Sequence, residues 1–282
     1  MNHLAMNPLA MNHLAMNPLA MNHSAMNRLA CKGLNLSIGG VSIVREFNFT
    51  LEPGSFWGLL GANGSGKTTL LKCLAGLRAP DVGQVVLDGI SIDELPRRVL
   101  ARHIGMLQQH TAYVFDSSVL QTALTGRHPH LGYWQREGRE DIGKAIAALN
   151  AADLSGLTER SVTGLSGGEA RRVAFATLLV QEPRIMLLDE PTNHLDLRHQ
   201  VWIMGMIRAL SVQAEGAAIA ALHDVNLAAR YCSHVLMLFG NGEWTAGTIG
   251  ELLNETSLER LYGCAVRKLE SPDGPCFYPL TH

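Results

Sequence analysis

The chain lacks an excess of charge of either sign. Its 23 lysine and arginine residues are balanced by 25 aspartate and glutamate residues, which leaves a formal net charge of −2. A protein that binds nucleic acid usually carries a basic face, because the phosphate backbone attracts lysine and arginine. The balance therefore gives no electrostatic reason to expect a nucleic-acid partner.

The chain also lacks the cysteine spacing of a disulfide framework or a zinc site. Its five cysteines are Cys31, Cys73, Cys232, Cys264 and Cys276. Their number is odd, their spacing is irregular, and no Cys-x-x-Cys pair occurs. This usage indicates reduced thiols in a cytosolic protein.

Long apolar runs are missing as well. A membrane-spanning helix needs roughly 18–20 consecutive apolar residues, whereas the apolar stretch at residues 235–239 has only the length of a strand. We therefore expect that the chain does not cross a membrane and that any membrane role comes through a partner. Hydrophobic residues make up 47% of the 282 positions and charged residues 17%, which suits a full globular core.

The chain begins with six pentads, MNHLA, MNPLA, MNHLA, MNPLA, MNHSA and MNRLA. A period of five matches neither a helix nor a strand, so the pattern builds no continuous apolar face. Pro8 and Pro18 also interrupt any helix. Residues 1–28 are therefore predicted to be a disordered low-complexity tail. Weak metal binding by its histidines, or a duplicated stretch of coding sequence with the natural start near Met26, is also compatible with the repeat.

After the repeat, short apolar runs alternate with turn residues. Residues 34–38, 41–44 and 47–51 are predicted to be strands of an antiparallel sheet. Residues 235–239 and 243–246 flank Asn241-Gly242 and predict a hairpin with a type I′ turn. Thr256 and Glu259 predict a capping box for a short helix that ends near Gly263.

A glycine-rich turn directly follows residues 56–60, which are predicted to form a buried strand. Residues 61–68 read GANGSGKT and match G-x-x-x-x-G-K-[ST]. Glycines let backbone N–H groups close around phosphate oxygens without Cβ clashes. A helix predicted over residues 67–77 directs its positive N-terminal end at the same anion. This order of strand, loop and helix predicts a nucleotide phosphate site.

The side chains of this loop have separate expected roles. Lys67 is expected to reach the β- and γ-phosphates, and the Thr68 hydroxyl is an expected ligand of Mg²⁺. Thr69 offers a further hydroxyl to the α-phosphate. The expected nucleotide-binding residues of the loop are Gly61, Asn63, Gly64, Ser65, Gly66, Lys67, Thr68 and Thr69.

Two acidic residues end a later apolar strand, which reads IMLLDE at residues 185–190. Asp189 at the mouth of a sheet is suited to hold Mg²⁺, directly or through water. Glu190 is the expected general base for the attacking water. Solvated acids that merely cap a strand are the alternative, and the glycine loop on the same chain favours the functional interpretation.

A further glycine motif, LSGGE at residues 165–169, precedes a helix predicted over residues 170–181. Ser166 is expected to cap this helix, and Gly167 and Gly168 expose backbone N–H groups. The motif lies about a hundred residues after the phosphate loop and twenty-odd residues before the Asp189 strand. At this position it resembles the signature motif of ABC ATPases, and the resemblance covers roughly residues 30–250.

The resemblance implies an α/β fold with the P-loop NTPase core of an ABC ATPase. It implies an N-terminal antiparallel β-subdomain and an inserted helical subdomain at about residues 110–181. The ATPase domain would cover residues 29–250, and residues 251–282 would form a C-terminal extension.

The resemblance also assigns roles to single residues. In the family the signature, here Ser166, Gly167 and Gly168, binds the γ-phosphate held by the other subunit, so that two ATP molecules lie in a head-to-tail dimer. Gln109 resembles the Q-loop glutamine, Asp196 resembles the D-loop aspartate that contacts the dimer partner, and His223 resembles the switch histidine at the γ-phosphate. The implied catalytic residues are Glu190, His223 and Lys67, and the implied Mg²⁺ ligands are Thr68, Gln109 and Asp189.

Three positions depart from the family pattern. Ile38 stands where most members have an aromatic residue that stacks on adenine. Gln108 stands where proline is common before the Q-loop glutamine. Glu169 replaces the usual glutamine at the end of the signature.

Residues 125–134, TGRHPHLGYW, resemble a stretch of the ATPases that serve importers of iron-siderophore, haem and cobalamin type. This resemblance implies a peripheral subunit at the cytoplasmic face of the inner membrane. Its partners would be a dimeric membrane permease and, indirectly, a periplasmic or extracellular substrate-binding protein. The residue-level alternative is a surface turn in which Pro129 starts a helix.

Other classes of protein fit less well. A soluble ABC ATPase that acts on ribosomes or DNA is the main alternative, but translation-type members carry two cassettes and DNA-repair members carry long coiled-coil insertions. A small-molecule kinase has no use for LSGGE. A non-catalytic regulator would lack Glu190 or Lys67, and both are present.

Overall fold

The computed structural model describes residues 28–109, 113, 115–213, 216–271 and 274–280. The pentad repeat up to residue 27, for which a disordered tail is predicted, lies outside these residues. The chain divides into two compact units, one with residues 112–182 and the other with residues 26–111 and 183–282.

The regular elements up to the end of the smaller unit are β1 (Leu29–Ile38), β2 (Val41–Leu51), β3 (Ser55–Gly61), α1 (Lys67–Leu74), β4 (Val82–Leu87), β5 (Ile90–Ser91), α2 (Arg97–His103), β6 (Ile104–Leu107), α3 (Val119–Leu124), α4 (Arg139–Ala151) and α5 (Gly167–Gln181). Those that follow are β7 (Ile185–Asp189), α6 (Leu197–Arg208), a π-helical turn (Ala209–Gln213), β8 (Ala217–Ala221), α7 (Val225–Tyr231), β9 (His234–Gly240), β10 (Glu243–Thr248), α8 (Ile249–Leu252), α9 (Glu255–Tyr262), β11 (Val266–Ser271) and β12 (Gly274–Pro279).

An antiparallel sheet with the order β2-β1-β4-β5 opens the larger unit. The sequence predicts two separate strands at residues 41–44 and 47–51, but the structure has one continuous strand, β2. The backbone is irregular at Glu46, where φ is +47°. The strand continues through this point because the Asn35 side chain accepts a hydrogen bond of 2.8 Å from the Glu46 N–H, which replaces the missing sheet partner.

The central sheet has the order β10-β9-β3-β8-β7-β6. All neighbours except β10 and β9 are parallel, and every residue of β3, β7 and β8 is buried. Strands covered on both faces read as continuous apolar runs, which is why residues 56–60 and 185–188 lack polar alternation. In this register Leu59 and Asp189 both lie beside Ala221. The loops that follow β3, β7 and β8 therefore start at one edge of the sheet, where α/β proteins place their ligands.

The predicted β9–β10 hairpin turns at Asn241 and Gly242, whose φ angles of +52° and +87° are those of a type I′ turn. The capping box predicted at Thr256 is wrong. Helix α9 begins two residues earlier than a cap at Thr256 would allow, because the cap is Asn254, whose side chain accepts a hydrogen bond of 2.9 Å from the Ser257 N–H. The predicted end is right, since Gly263 adopts the left-handed conformation just after α9.

The last two strands, β11 and β12, form a hairpin of their own. The Asn226 side chain in α7 donates to the Phe277 carbonyl at 3.0 Å and accepts from the Phe277 N–H at 2.7 Å. The Phe277 ring is buried. The Asn226 amide thus makes the pair of hydrogen bonds that a neighbouring strand would make, and it holds the C-terminal hairpin on α7.

The smaller unit is helical, with α3, α4 and α5 and three short 3₁₀ segments (Thr125–Arg127, Ser155–Leu157 and Val162–Gly164). Its buried residues are mostly small or aliphatic, such as Ala145, Leu149 and Ala176, and they also include the aromatic Phe175. Among the residues that the structure describes, no helix in either unit is long and apolar enough to cross a membrane.

Candidate functional site

The glycine loop runs from the end of β3 to the start of α1. Gly66 is the residue before α1 and has φ +95°, a conformation that L side chains rarely adopt. A Cβ atom at Gly66 would lie 2.5–2.8 Å from side-chain atoms of Ile43. A Cβ atom at Gly61 would lie 2.5 Å from the Ser65 Oγ atom. Both positions therefore favour glycine, because a side chain at either one would collide with its neighbours.

Lys67 lies under this loop. Its Nζ atom donates to the carbonyl oxygens of Gly61 at 2.7 Å and Ala62 at 3.1 Å, and the residue is 6% exposed. Burial lowers the pKa of Lys67, and the nearby carboxylates of Glu190 and Asp189 act in the opposite direction. The Lys67 amino group is thus held directly beneath the backbone of the glycine loop.

The hydroxyl groups of the loop fit a phosphate ligand. The Ser65 Oγ atom is buried and has no hydrogen-bond partner among the described residues. A buried hydroxyl without a partner costs free energy unless a ligand supplies one. Thr68 and Thr69 lie in the first turn of α1 and are half-buried. The predicted residues Asn63 and Gly64 lie in the glycine loop before α1, and Gly64 has φ +78°.

The end of β7 brings the predicted acids to the same edge of the sheet. Asp189 is 1% exposed and Glu190 is 7% exposed. Glu190 has φ +51°, a strained conformation for a residue with a Cβ atom, and its N–H donates to the Ala221 carbonyl at 3.2 Å. This bond to the neighbouring strand fixes the Glu190 backbone.

The Glu190 carboxylate has a different partner at each oxygen. Its Oε1 atom lies 2.6 Å from the Nε2 atom of His223, two residues beyond the end of β8. Its Oε2 atom accepts a hydrogen bond from the Asn193 Nδ2 group. A cavity of about 170 Å³ opens beside this group. Its lining residues are Glu190, Thr192, Asn193, His194, Gln200, Ala221, His223, Asp224 and Leu227.

The remaining predicted residues of the larger unit lie nearby in the topology. Gln109 follows β6, in which Leu107 lies beside Leu188, so Gln109 emerges at the same sheet edge as Asp189. Asp196 precedes α6 and caps it, because its Oδ1 atom accepts from the His199 N–H at 2.9 Å. The same Oδ1 atom lies 2.8 Å from the His199 Nδ1 atom.

The signature residues cap α5 in the smaller unit. The Ser166 Oγ atom accepts from the Glu169 N–H at 3.3 Å, and the Ser166 N–H donates to the Glu169 Oε2 atom at 2.7 Å. This N–H group lowers the pKa of Glu169. Gly167 and Gly168 form the first turn. Glutamate thus makes the same reciprocal capping box that glutamine can make, which explains how it stands in the place of the usual glutamine.

Much of the sequence motif at residues 125–134 is structural. A Cβ atom at Gly126 would lie 2.4 Å from the Thr177 carbonyl oxygen, so glycine lets this segment approach α5 closely. The Arg127 side chain is buried and pairs with Asp141 and Glu182, both at 2.8 Å. Tyr133 and Trp134 remain 91% and 93% exposed. Residues 128–130 form a turn, and no helix begins at Pro129.

The sequence analysis missed the contact of Asn193 with Glu190. The one feature of the sequence that could have indicated this contact is Pro191, which favours a turn that brings Asn193 back to Glu190. The turn is present, because the Asn193 N–H donates to the Glu190 carbonyl at 3.2 Å.

The family model that describes an ABC transporter matches residues 44–193. The chain belongs to the ABC transporter ATPase family, and the predicted family and fold are confirmed. It is an ABC ATPase, which binds ATP and couples its hydrolysis to transport.

Relatives cover most of the chain. The hemin import ATP-binding protein HmuV of Myxococcus xanthus is 37% identical over 86% of this chain and 95% of its own length. The ferric enterobactin transport ATP-binding protein FepC of Escherichia coli is 34% identical over 85% of this chain and 88% of its own length.

Two solved structures share the fold. One is an inward-facing metal-chelate type ABC transporter, with 26% identity, a TM-score of 0.77, and coverage of 91% of this chain and 98% of that chain. The other is a dimeric bacterial ABC transporter cassette, with 26% identity, a TM-score of 0.69, and coverage of 78% and 98%.

Proposed function

We propose that the chain is the ATP-hydrolysing subunit of an importer that takes up haem or an iron-siderophore through a separate membrane permease. The observation that carries this proposal is the similarity to HmuV and FepC, whose names specify hemin import and ferric enterobactin transport, over 85–86% of the chain. Uptake of a cobalamin-type substrate stays a prediction of the motif at residues 125–134.

The site supports specific roles for the chain's own residues. The loop from Gly61 to Thr69 cradles the phosphates, and Lys67 and His223 stabilise the charge of the transferring phosphoryl group. Glu190 accepts a proton from the attacking water. Ser166, Gly167 and Gly168 of one copy close on the nucleotide held by a second copy, with Asp196 at the contact between the copies.

Mg²⁺ fits the donor set that we propose for it. Thr68, Gln109 and Asp189 offer a hydroxyl, an amide carbonyl and a carboxylate, which are the hard oxygen ligands that Mg²⁺ prefers. When bound, the ion neutralises charge on the β- and γ-phosphates. Among the described residues there is no group of three or more His, Cys, Asp or Glu side chains that would make a metal site by itself. This agrees with an ion that shares its ligands with a nucleotide.

We further propose a head-to-tail dimer that works on a dimeric permease at the cytoplasmic face of the inner membrane, with a periplasmic or extracellular substrate-binding protein as an indirect partner. The similarity to a cassette dimer and to a complete transporter supports this assembly. Closure and reopening of the dimer would move the permease, because the bridging contacts of ATP exist in only one of the two states.

Co-purification from detergent-solubilised native membranes tests the proposal. We expect mass spectrometry to find a polytopic permease and a substrate-binding protein that carries haem or a siderophore. The matched control is Lys67→Ala, which should still bring down the permease but should not hydrolyse ATP. Ribosomal or DNA-repair proteins in place of a permease would contradict the importer and favour a soluble ABC ATPase.

A further inference from the structure

The Glu190 carboxylate is held at both oxygens, and the two partners differ in kind. At Oε1 the partner is a histidine with a side chain that is 44% exposed. At Oε2 the partner is the Asn193 amide. In the proposed mechanism the histidine also serves the γ-phosphate, so it cannot hold Oε1 throughout the reaction.

We propose that Asn193 is a positioning residue that holds the Oε2 atom of Glu190, so that Oε1 is the atom that accepts the proton from water. This inference rests on the proposed role of Glu190 as the general base. A side-chain amide N–H donates and neither gains nor loses a proton by titration near neutral pH, so it fixes one oxygen without acting as a competing base.

The Asn193 side chain is fixed by its own turn. The turn spans residues 190–193 and is closed by the 3.2 Å hydrogen bond from the Asn193 N–H to the Glu190 carbonyl. Pro191 restricts the backbone of this turn. The amide therefore reaches Glu190 over a tether of three residues, which leaves it little freedom to move away.

A second asparagine, Asn254, makes its contacts at the start of α9 and does not line the cavity beside Glu190. Its Oδ1 atom accepts from the Ser257 N–H at 2.9 Å, and its Nδ2 group donates to the Glu251 carbonyl at 3.2 Å. Asn254→Ala thus provides a matched control, because the same substitution leaves both named contacts of the Glu190 carboxylate in place.

The experiment uses the full chain purified with its permease and measures kcat and KM for ATP. Asn193→Ala removes the donor without placing a second carboxylate beside Glu190, where repulsion would lower kcat whatever the role of Asn193. A purely structural role predicts the same loss with and without Glu190. Positioning predicts a loss in kcat on the order of tenfold to a hundredfold, because a small misplacement of a catalytic group is costly. KM for ATP should stay the same, since Asn193 lies outside the phosphate loop. Asn254→Ala should stay close to the parent in kcat.

A double-mutant cycle completes the test. In a Glu190→Ala background, Asn193→Ala should cause no further loss in the residual rate, because the group that Asn193 positions is gone. An equal loss with and without Glu190, or a parent-like kcat for Asn193→Ala, would overturn the inference.

The two proposals fail in different ways. If Glu190→Gln hydrolyses ATP at the parent rate, the general base itself is wrongly assigned. If Glu190→Gln loses hydrolysis and Asn193→Ala does not, only the role of Asn193 is wrong.

Discussion

Ile38 lies at the end of β1, where the family resemblance expects an aromatic ring against adenine. Its side chain is 48% exposed, and Val41 lies beside it across the Gly39-Gly40 turn. Two residues further along β2, Ile43 lies against Gly66 of the phosphate loop. The hairpin end that carries Ile38 therefore lies close to the phosphate site and presents aliphatic side chains.

We expect Ile38→Tyr to tighten ATP binding about fivefold to tenfold, because base–aromatic stacking is worth roughly 1–3 kcal/mol and an aliphatic contact already supplies part of it. The dissociation constant of ATP, measured by equilibrium titration, checks this. The control is Ile90→Tyr, since Ile90 is 50% exposed but lies beside Leu87, which pairs with the opposite end of β1. Equal effects of both substitutions would argue against stacking at position 38.

The residues that the sequence predicts best are those with local motifs. Gly66 and Lys67 follow from the glycine loop itself, because the chain needs only its immediate neighbours to close the turn. The contacts of Glu190 with His223 and Asn193 do not follow in this way. The first depends on the pairing of β7 with β8, across 33 residues of sequence, and the second on a side-chain rotamer within a turn.

At the scale of elements, the last turn of α5 depends on buried charge. Arg127 donates to the Val180 carbonyl at 3.1 Å as well as pairing with Asp141 and Glu182. Glu182, at the C-terminal end of α5, also pairs with Lys144 at 2.9 Å. Removal of one partner from such a group leaves charges that are shielded from water and unpaired.

We expect Arg127→Met to lower the free energy of unfolding by about 3 kcal/mol, because it leaves two carboxylates without their buried partner. Lys144→Met is the matched control and should cost less than about 1 kcal/mol, since the Lys144 side chain is 31% exposed and solvent screens its pairs. Urea unfolding of the full chain measures both. Similar losses in the free energy of unfolding for the two variants would show that burial of the charged side chain does not determine the loss.

Element ends were predicted less well than element cores. The sequence predicts a cap for α9 at Thr256, whereas in the structure Asn254 has the extended backbone of a cap and takes that place. Similarly, the merged strand β2 needs the Asn35 side chain, which comes from the neighbouring strand. The start of α9 thus depends on the backbone conformation at Asn254, and the merged strand β2 depends on a partner outside residues 41–51.

At the scale of the whole molecule, the proposed cycle alternates between separate copies and an ATP-bound dimer. We expect Glu190→Gln to bind ATP without hydrolysing it and to accumulate as a dimer. Size-exclusion chromatography with light scattering, with and without ATP, checks this expectation. The control is Lys67→Ala, which should remain monomeric with ATP because it lacks the cation beneath the phosphate loop. A Glu190→Gln protein that stays monomeric at saturating ATP would contradict the shared nucleotide site.

The hairpin that Asn226 holds on α7 carries one of the two exposed cysteines of the chain. Cys264 and Cys276 are exposed, whereas Cys31, Cys73 and Cys232 are buried. Burial raises the pKa of all three buried thiols, that of Cys73 to about 11, and so suppresses their reactive thiolate form. A maleimide dye or spin label added to the unaltered protein would therefore attach next to Phe277 and just after α9. The unaltered sequence thus supplies a labelling site at Cys276, on the hairpin that packs on α7, the helix that follows His223.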